Sequence, residues 1–244
     1  MLQFYGNKEE GNLVGSMEKS KIIAVIPAYN EERHIEEVVK KAIRYVDQVF
    51  VIDDGSKDKT GEIAQAAGAT IIKHHSNMGK GAAVNTAFNL AREIRPLVLV
   101  LLDGDNQHNP DEIPFLLEPV LNEECDIVVG SRLLLCKNKI PDYRKIGQNI
   151  LTLTTNLGSG IKLTDSQSGF RAFSLSAINN MIFKEKGLSV ESEMQFLASE
   201  KNIKVKEVPI TTNYNDKLKR SPVVHGVSVF IKVIGLILKK KFAI

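Results

Sequence analysis

Residues 97–108 read LVLVLLDGDNQH, and the fold turns on them. Six apolar residues, Leu97 to Leu102, are enough for a buried strand and too few for an ordinary helix. They stop at Asp103-Gly104-Asp105, with Gln107 just beyond. Carboxylates carried at the C-terminal end of a strand stand where open α/β sheets bind their ligands. Two of them, separated only by a glycine, suit a hard divalent cation shared with a diphosphate. Taken alone, the tripeptide is explained equally well as an acidic turn. A calcium-binding helix-loop-helix is excluded, because His108 and Pro114 stand where that loop needs Gly and Glu.

Upstream, the pattern repeats. Lys21 to Ile26 is an apolar run that Pro27 is expected to stop. Ile35, Val38, Val39, Ala42, Ile43 and Val46 then recur every three or four residues, which predicts a helix with one buried stripe. Asn30 is its expected N-cap, and the glutamates at 31, 32, 36 and 37 suit its positive end. Strands are expected at Gln48–Asp53, Thr70–Lys73, Leu97–Leu102 and Asp126–Gly130. Helices are expected from near Asp58, over Lys80–Ile94 and over Asp111–Leu121. Such alternation predicts a parallel sheet covered on both faces. Past Ser131 it loosens: a long connection to Tyr143, helices at Lys145–Leu157 and Glu191–Lys201, strands at Phe170–Ser174 and Ile203–Ile210, and a basic loop from Thr211 to Pro222.

The two ends read differently. The first twenty residues mix charge, Gly and Asn without an apolar core, so they read as a loosely ordered tail and not a secretory signal. From Val223 onward, His225, Ser228, Lys232, Gly235 and Lys239 form a narrow polar stripe on an otherwise apolar helix closed by Lys239-Lys240-Lys241. The segment is too short to span a bilayer, which takes roughly 20 apolar residues. It suits the membrane interface, or packing on its own domain or on a second subunit. The 244 residues allow one α/β domain over 21–222 (nucleotide half 21–130, acceptor half 131–222) between this tail and this helix. A net charge of +3 does not argue for nucleic acid. Cys125 and Cys136 lack metal or redox spacing and read as reduced thiols of a cytosolic protein.

Four stretches carry chemistry: Pro27-Ala28-Tyr29-Asn30-Glu31, Ile52-Asp53-Asp54-Gly55-Ser56, Asp103-Gly104-Asp105 with Gln107 and His108, and Asp165-Ser166-Gln167-Ser168-Gly169-Phe170-Arg171. In this order they resemble the inverting family 2 glycosyltransferases, and within them the polyprenyl-phosphate (dolichyl-phosphate) mannose and glucose synthases. The resemblance implies a Rossmann-like nucleotide-diphospho-sugar transferase (GT-A) fold with a mostly parallel sheet. It implies that Pro27, Tyr29, Glu31 and Ile52 line the nucleotide pocket, with Asp54 accepting hydrogen bonds from the base. Asp103 and Gly104 would face the ribose and diphosphate, Asp105 and Gln107 would hold Mg2+ or Mn2+, and Arg132 would reach the phosphates. Lys80 would lie near the donor, in a turn that matches neither a phosphate-binding loop nor a dinucleotide fingerprint. Asp165 would be a general base or an orienting carboxylate. Glu191, Glu193, Lys217 and Lys219 would belong to the acceptor side, and Arg220 to a cationic loop over the phosphates.

The expected activity is transfer of mannose or glucose from GDP-mannose or UDP-glucose to a polyprenyl phosphate, at the cytoplasmic face of a membrane. The same fold serving a soluble or saccharide acceptor, and a catalytically silent nucleotide-binding module, are the alternatives. The motifs leave the donor base, the sugar and the oligomeric state open.

Overall fold

The computed structural model describes residues 3–5, 22–134, 142–183, 190–213, 230–231, 233–235 and 237. Its elements are β1 (Gln3–Tyr5), β2 (Ile22–Ala28), α1 (Ile35–Ala42), β3 (Gln48–Asp53), α2 (Thr60–Ala66), β4 (Thr70–Lys73), α3 (Lys80–Ile94) and β5 (Val98–Leu101). A 3-10 turn (Pro110–Glu112) leads to α4 (Ile113–Leu121), β6 (Ile127–Ser131), α5 (Asp142–Ser159), β7 (Arg171–Ser174), α6 (Leu175–Asn180), α7 (Val190–Glu200) and β8 (Val205–Pro209).

One eight-stranded sheet runs in the order β1-β4-β3-β2-β5-β7-β6-β8. The pairs β4–β3, β3–β2, β2–β5 and β6–β8 are parallel, while β1 on β4 and β7 between β5 and β6 are antiparallel. The sheet is therefore mostly parallel, as the resemblance implied, and its two antiparallel strands, β1 and β7, lie outside the alternation read from 21 to 130. From β2 the chain winds outward through β3 and β4, then returns to place β5 on the other side of β2. This reversal is the switch point at which open α/β sheets leave a crevice beyond their strand ends.

Alternate residues of the central strands serve two separate cores. Ile23, Val25, Phe50, Ile52, Leu99 and Leu101 pack under α3, α6 and α7. Ala24, Ile26, Val49, Val51, Val98 and Val100 pack under α1, α2 and α4. Burial on both faces explains why these strands read as continuous apolar runs instead of alternating ones.

Several local expectations need correcting. Pro27 does not stop its strand, since Pro27 and Ala28 still pair with Ile52 and Asp53. Asn30 does not cap α1: it sits at φ 55° in the preceding turn, and its Oδ1 accepts from the Lys57 amide at 2.9 Å. His34 holds the cap position, and its side chain does not make the capping bond. The buried stripe of α1 ends at Ala42, leaving Ile43 40% exposed. Gln3–Tyr5, inside the expected loose tail, forms the edge strand on β4.

Candidate active site

The crevice between the ends of β2 and β5 collects the acidic motif. Beyond β5 the chain turns at Asn106, whose φ of 57° is a conformation Asn adopts more readily than most residues. That turn folds Gln107 back on Asp105. The Gln107 amide N–H donates to Asp105 Oδ1 at 3.1 Å, and Gln107 Nε2 donates to Oδ2 at 2.8 Å. Asn106 Nδ2 ties the loop to Glu37 on α1 at 2.8 Å.

Asp103 is held differently. Lys80, the first residue of α3, lies 2.7 Å from Asp103 Oδ1 and 2.7 Å from Glu191 Oε1. Burial would raise the Asp103 carboxyl, but the Lys80 charge overrides it and holds the group below the usual carboxylate range. Burial likewise disfavours the Lys80 ammonium, and its two carboxylate partners more than compensate, raising its pKa. Gly169 is required here, because a Cβ at that position would stand 2.5 Å from Asp103 Oδ2.

Asp105 has no such cation. Among the described residues it forms no ion pair; burial, reinforced by the neighbouring Asp103 charge, pushes its carboxyl up to about 6. A buried carboxylate that ionises reluctantly is one whose charged form a bound cation would stabilise. Among the described residues, no three His, Cys, Asp or Glu side chains converge as a complete metal cage. The donor set therefore fits an ion that takes its remaining ligands from a diphosphate.

Asp165 and Arg132 form the second constellation. Arg132 Nε donates to Asp165 Oδ2 at 2.6 Å, its Nη2 to Oδ1 at 2.8 Å, and its amide to Oδ2 at 3.1 Å. Asp165 is fully buried and Arg132 is 8% exposed. Burial alone would raise the carboxyl, yet the bidentate guanidinium brings it below its ordinary value. Glu207 on β8 accepts from the amides of Thr164 and Asp165 at 2.7 and 3.0 Å, which fixes this turn. The guanidinium of Arg171 donates to the carbonyls of Ser168 and Ser166 at 2.9 and 2.7 Å, closing it from the other side.

Other expected residues land elsewhere. Ile52 is fully buried in the core under α3, so its side chain does not line the crevice. Asp54, 4% exposed, accepts from the amides of Met78 and Gly79 at 2.9 and 2.8 Å and lies 2.7 Å from His74 Nδ1. It braces the turn into α3. Pro27 is buried within β2, and Tyr29 and Glu31 are half-buried just beyond it. Glu191 and Glu193 are each 5% exposed, and Glu191 is linked to Asp103 through Lys80. Lys217, Lys219 and Arg220 lie outside the described residues.

The motif named His108 without giving it a role. Its ring is 4% exposed and stacks on Phe170 at 5.5 Å, with Nδ1 lacking a hydrogen-bond partner among the described residues. Burial lowers its pKa to about 4 against the pull of Asp103, so the ring is neutral at pH 7. His108 also bridges Thr212, and the Gln107 carbonyl accepts from the Asn213 amide at 2.9 Å. The chain entering the basic loop is thus laid directly on the acidic one. Glu112 secures it, accepting from the Thr211 amide at 2.9 Å and the Thr211 hydroxyl at 2.9 Å. A groove of about 410 Å³ between α4 and β8, lined by Phe115, Pro119, Lys206 and Val208, contains none of the expected site residues.

The model of glycosyl transferase family 2 matches residues 23–182, which span both constellations. The chain belongs to that family. This glycosyltransferase is 33% identical over 239 residues to the UDP-N-acetylglucosamine–dolichyl-phosphate N-acetylglucosaminyltransferase of Methanococcus voltae, covering 88% of this chain and 95% of that one. It is 30% identical over 203 residues to the undecaprenyl-phosphate mannosyltransferase of Micrococcus luteus, covering 78% and 83%. Its fold matches glucosyl-3-phosphoglycerate synthase from Mycobacterium tuberculosis, in complex with Mn2+, UDP and product, at a TM-score of 0.71 and 20% identity. The likeness covers 95% of this chain and 85% of that one. The GT-A-like architecture expected from the motifs is therefore the one this family member adopts.

Proposed function

We propose that this glycosyltransferase moves a hexose from a nucleotide sugar to a polyprenyl phosphate, with inversion and with help from a divalent cation. The observation that carries the acceptor class is the Asp165–Arg132 clamp. A hydroxyl acceptor must lose a proton as it attacks, and so needs a positioned base. Asp165 is the expected candidate, and here it is buried, bound through both oxygens and lowered in basicity. A phosphate monoester is already ionised at neutral pH and can attack the anomeric carbon without one. The named activities of the Methanococcus and Micrococcus relatives agree with this acceptor.

In this reading the acceptor oxygen bonds to the anomeric carbon from the side opposite the departing diphosphate, and the old glycosidic C–O bond breaks. Asp105 and Gln107 would hold Mg2+ or Mn2+, which supplies positive charge to the leaving diphosphate when bound. Lys80 keeps Asp103 ionised and fixed, so that it can accept hydrogen bonds from donor hydroxyls. Tyr29 and Glu31 border the nucleotide, and Lys217, Lys219 and Arg220 complete the phosphate-facing set from the basic loop. Asp165 keeps the Arg132 guanidinium in one orientation at the crevice.

The test offers GDP-mannose, UDP-glucose and UDP-N-acetylglucosamine, with and without Mn2+ or Mg2+, to a short polyprenyl phosphate and to 3-phosphoglycerate. Metal-stimulated transfer to the polyprenyl phosphate is the expected result. Transfer to phosphoglycerate alone would overturn the acceptor assignment, and no turnover with any pair would overturn the whole reading.

A further inference from the structure

Glu112 closes the 3-10 turn that follows the acidic loop, and it is only 8% exposed. A glutamate at that depth ordinarily answers a cation. Among the described residues this one forms no ion pair, and burial raises its carboxyl. Its two oxygens converge instead on a single residue 99 positions away. Oε1 accepts from the Thr211 amide at 2.9 Å and from the Thr211 hydroxyl at 2.9 Å, and Oε2 accepts from the same amide at 3.0 Å. The contact is a grip on one backbone position, not a charge pair.

Thr211 belongs to a strap of four consecutive residues that ties the two constellations together. The Ile210 amide donates to the carbonyl of Ser131, the residue before Arg132, at 3.0 Å. Thr211 goes to Glu112, and Thr212 pairs antiparallel with His108. The Asn213 amide donates to the Gln107 carbonyl at 2.9 Å. The strap thus reaches Gln107 from behind, while the Gln107 N–H is already engaged by Asp105 Oδ1 at 3.1 Å.

With its amide and its carbonyl both fixed, Gln107 keeps freedom mainly in its side chain. That side chain now donates from Nε2 to Asp105 Oδ2 at 2.8 Å. An amide holds a hard cation through its carbonyl oxygen, so Gln107 has to turn its side chain over when an ion arrives. A backbone clipped on both sides lets the side chain turn without unseating the loop. The clip depends on the strap, and the strap is held at Thr211 by Glu112.

We propose that Glu112 is a positioning residue for the cation site: through Thr211 it pins residues 210–213 on the acidic loop and so presets Gln107 and Asp105 for a divalent ion. The proposal rests on the reading of Asp105 and Gln107 as the ion's protein ligands. The Glu112 carboxylate bonds Thr211 and neither of those two, so it acts on the ion at second hand.

The full chain is to be titrated with Mn2+ in the presence of UDP or GDP, following the electron paramagnetic resonance signal of free Mn2+ against nucleotide alone. Removing a partner that orients a metal ligand weakens metal binding by about 10–100-fold, so E112A should raise the Mn2+ midpoint about tenfold or more. E112Q, whose amide oxygen still accepts from Thr211, should stay within about twofold of wild type. Nucleotide binding without Mn2+ should not move, and excess Mn2+ should restore transfer by E112A. An E112A protein that is weakened toward urea yet takes up Mn2+ like wild type has lost a structural contact only, and overturns the proposal. So does E112Q behaving like E112A. Wild-type protein that takes up no Mn2+ with either nucleotide removes the cation reading, and this proposal with it. If E112A does not fold, T211V decides: it keeps the amide and deletes the hydroxyl, and an unchanged Mn2+ midpoint there overturns the proposal.

Discussion

The two halves of the crevice are positioned by different forces. Asp103 and Asp105 stand where they do because β5 ends at Leu101 between parallel β2 and antiparallel β7, so backbone pairing places them. Asp165 stands where it does because side chains far away in sequence grip it: Arg132 from 33 residues upstream and Glu207 from 42 downstream. The first half is a product of strand periodicity, and the second a product of buried polar contacts. Buried pairs are sensitive in a way that strand ends are not, because removing one partner strands the other.

That contrast can be broken experimentally, beginning where it is strongest. Arg132→Met should cost about 3–5 kcal/mol of stability by urea unfolding, since it leaves Asp165 buried and unpaired. An effect below about 1 kcal/mol would mean that the clamp does not hold this half together. Asp165→Asn should lose less stability than that and keep measurable transfer to a lipid phosphate. Folded but wholly inactive protein would reinstate Asp165 as a base.

Asp105→Asn should do the reverse. Transfer should fall on the order of a hundredfold or more, in line with loss of a main electrostatic stabiliser. Stability should hold or rise, because Asp105 ionises reluctantly in the folded protein. Calorimetry should show Mn2+-assisted nucleoside diphosphate binding lost as well. Glu207→Ala should destabilise by about 2 kcal/mol, the range for hydrogen bonds to a charged group.

Acid should expose the same difference. The Asp165 carboxyl is lowered in the folded state, so its stabilising contribution is complete above the unfolded carboxylate pKa of about 4. It is lost as pH falls through the lower folded value. Wild type should therefore lose stability below about pH 4 more steeply than Arg132→Met, as followed by thermal unfolding at stepped pH. The smallest effect belongs to Glu112→Gln. Burial already raises that carboxyl, and the amide oxygen still accepts from Thr211, so less than about 1 kcal/mol should be lost.

The same division explains what the chain disclosed before folding. The ends of β3 and β4 and the start of α3 could be read directly, because apolar runs stop at Asp53 and Lys73 and Gly79 precedes the helix. The acidic tip after β5 was legible for the same reason. Asp54 was not: its partners at 74, 78 and 79 meet it only once β4 has paired with β3, and its sequence context is that of any turn. The Lys80–Glu191 contact joins residues over a hundred positions apart, and no local pattern announces it. Helix α6 leaves no signal in the sequence because Leu175–Asn180 is too short to show a period, although Ser174 caps it by accepting from the Ala177 amide. Asn30 misled because a residue suited to capping is equally suited to a left-handed turn.

The position of β7 between β5 and β6 has a consequence during synthesis. Until Arg171–Ser174 leaves the ribosome, both flanking strands present open edges, and an unpaired apolar edge recruits other chains. The part of the chain before β7 is therefore not a module that can mature first and wait. Messages truncated ahead of residue 171 should yield inclusion bodies, because the strand that joins β5 to β6 is then missing.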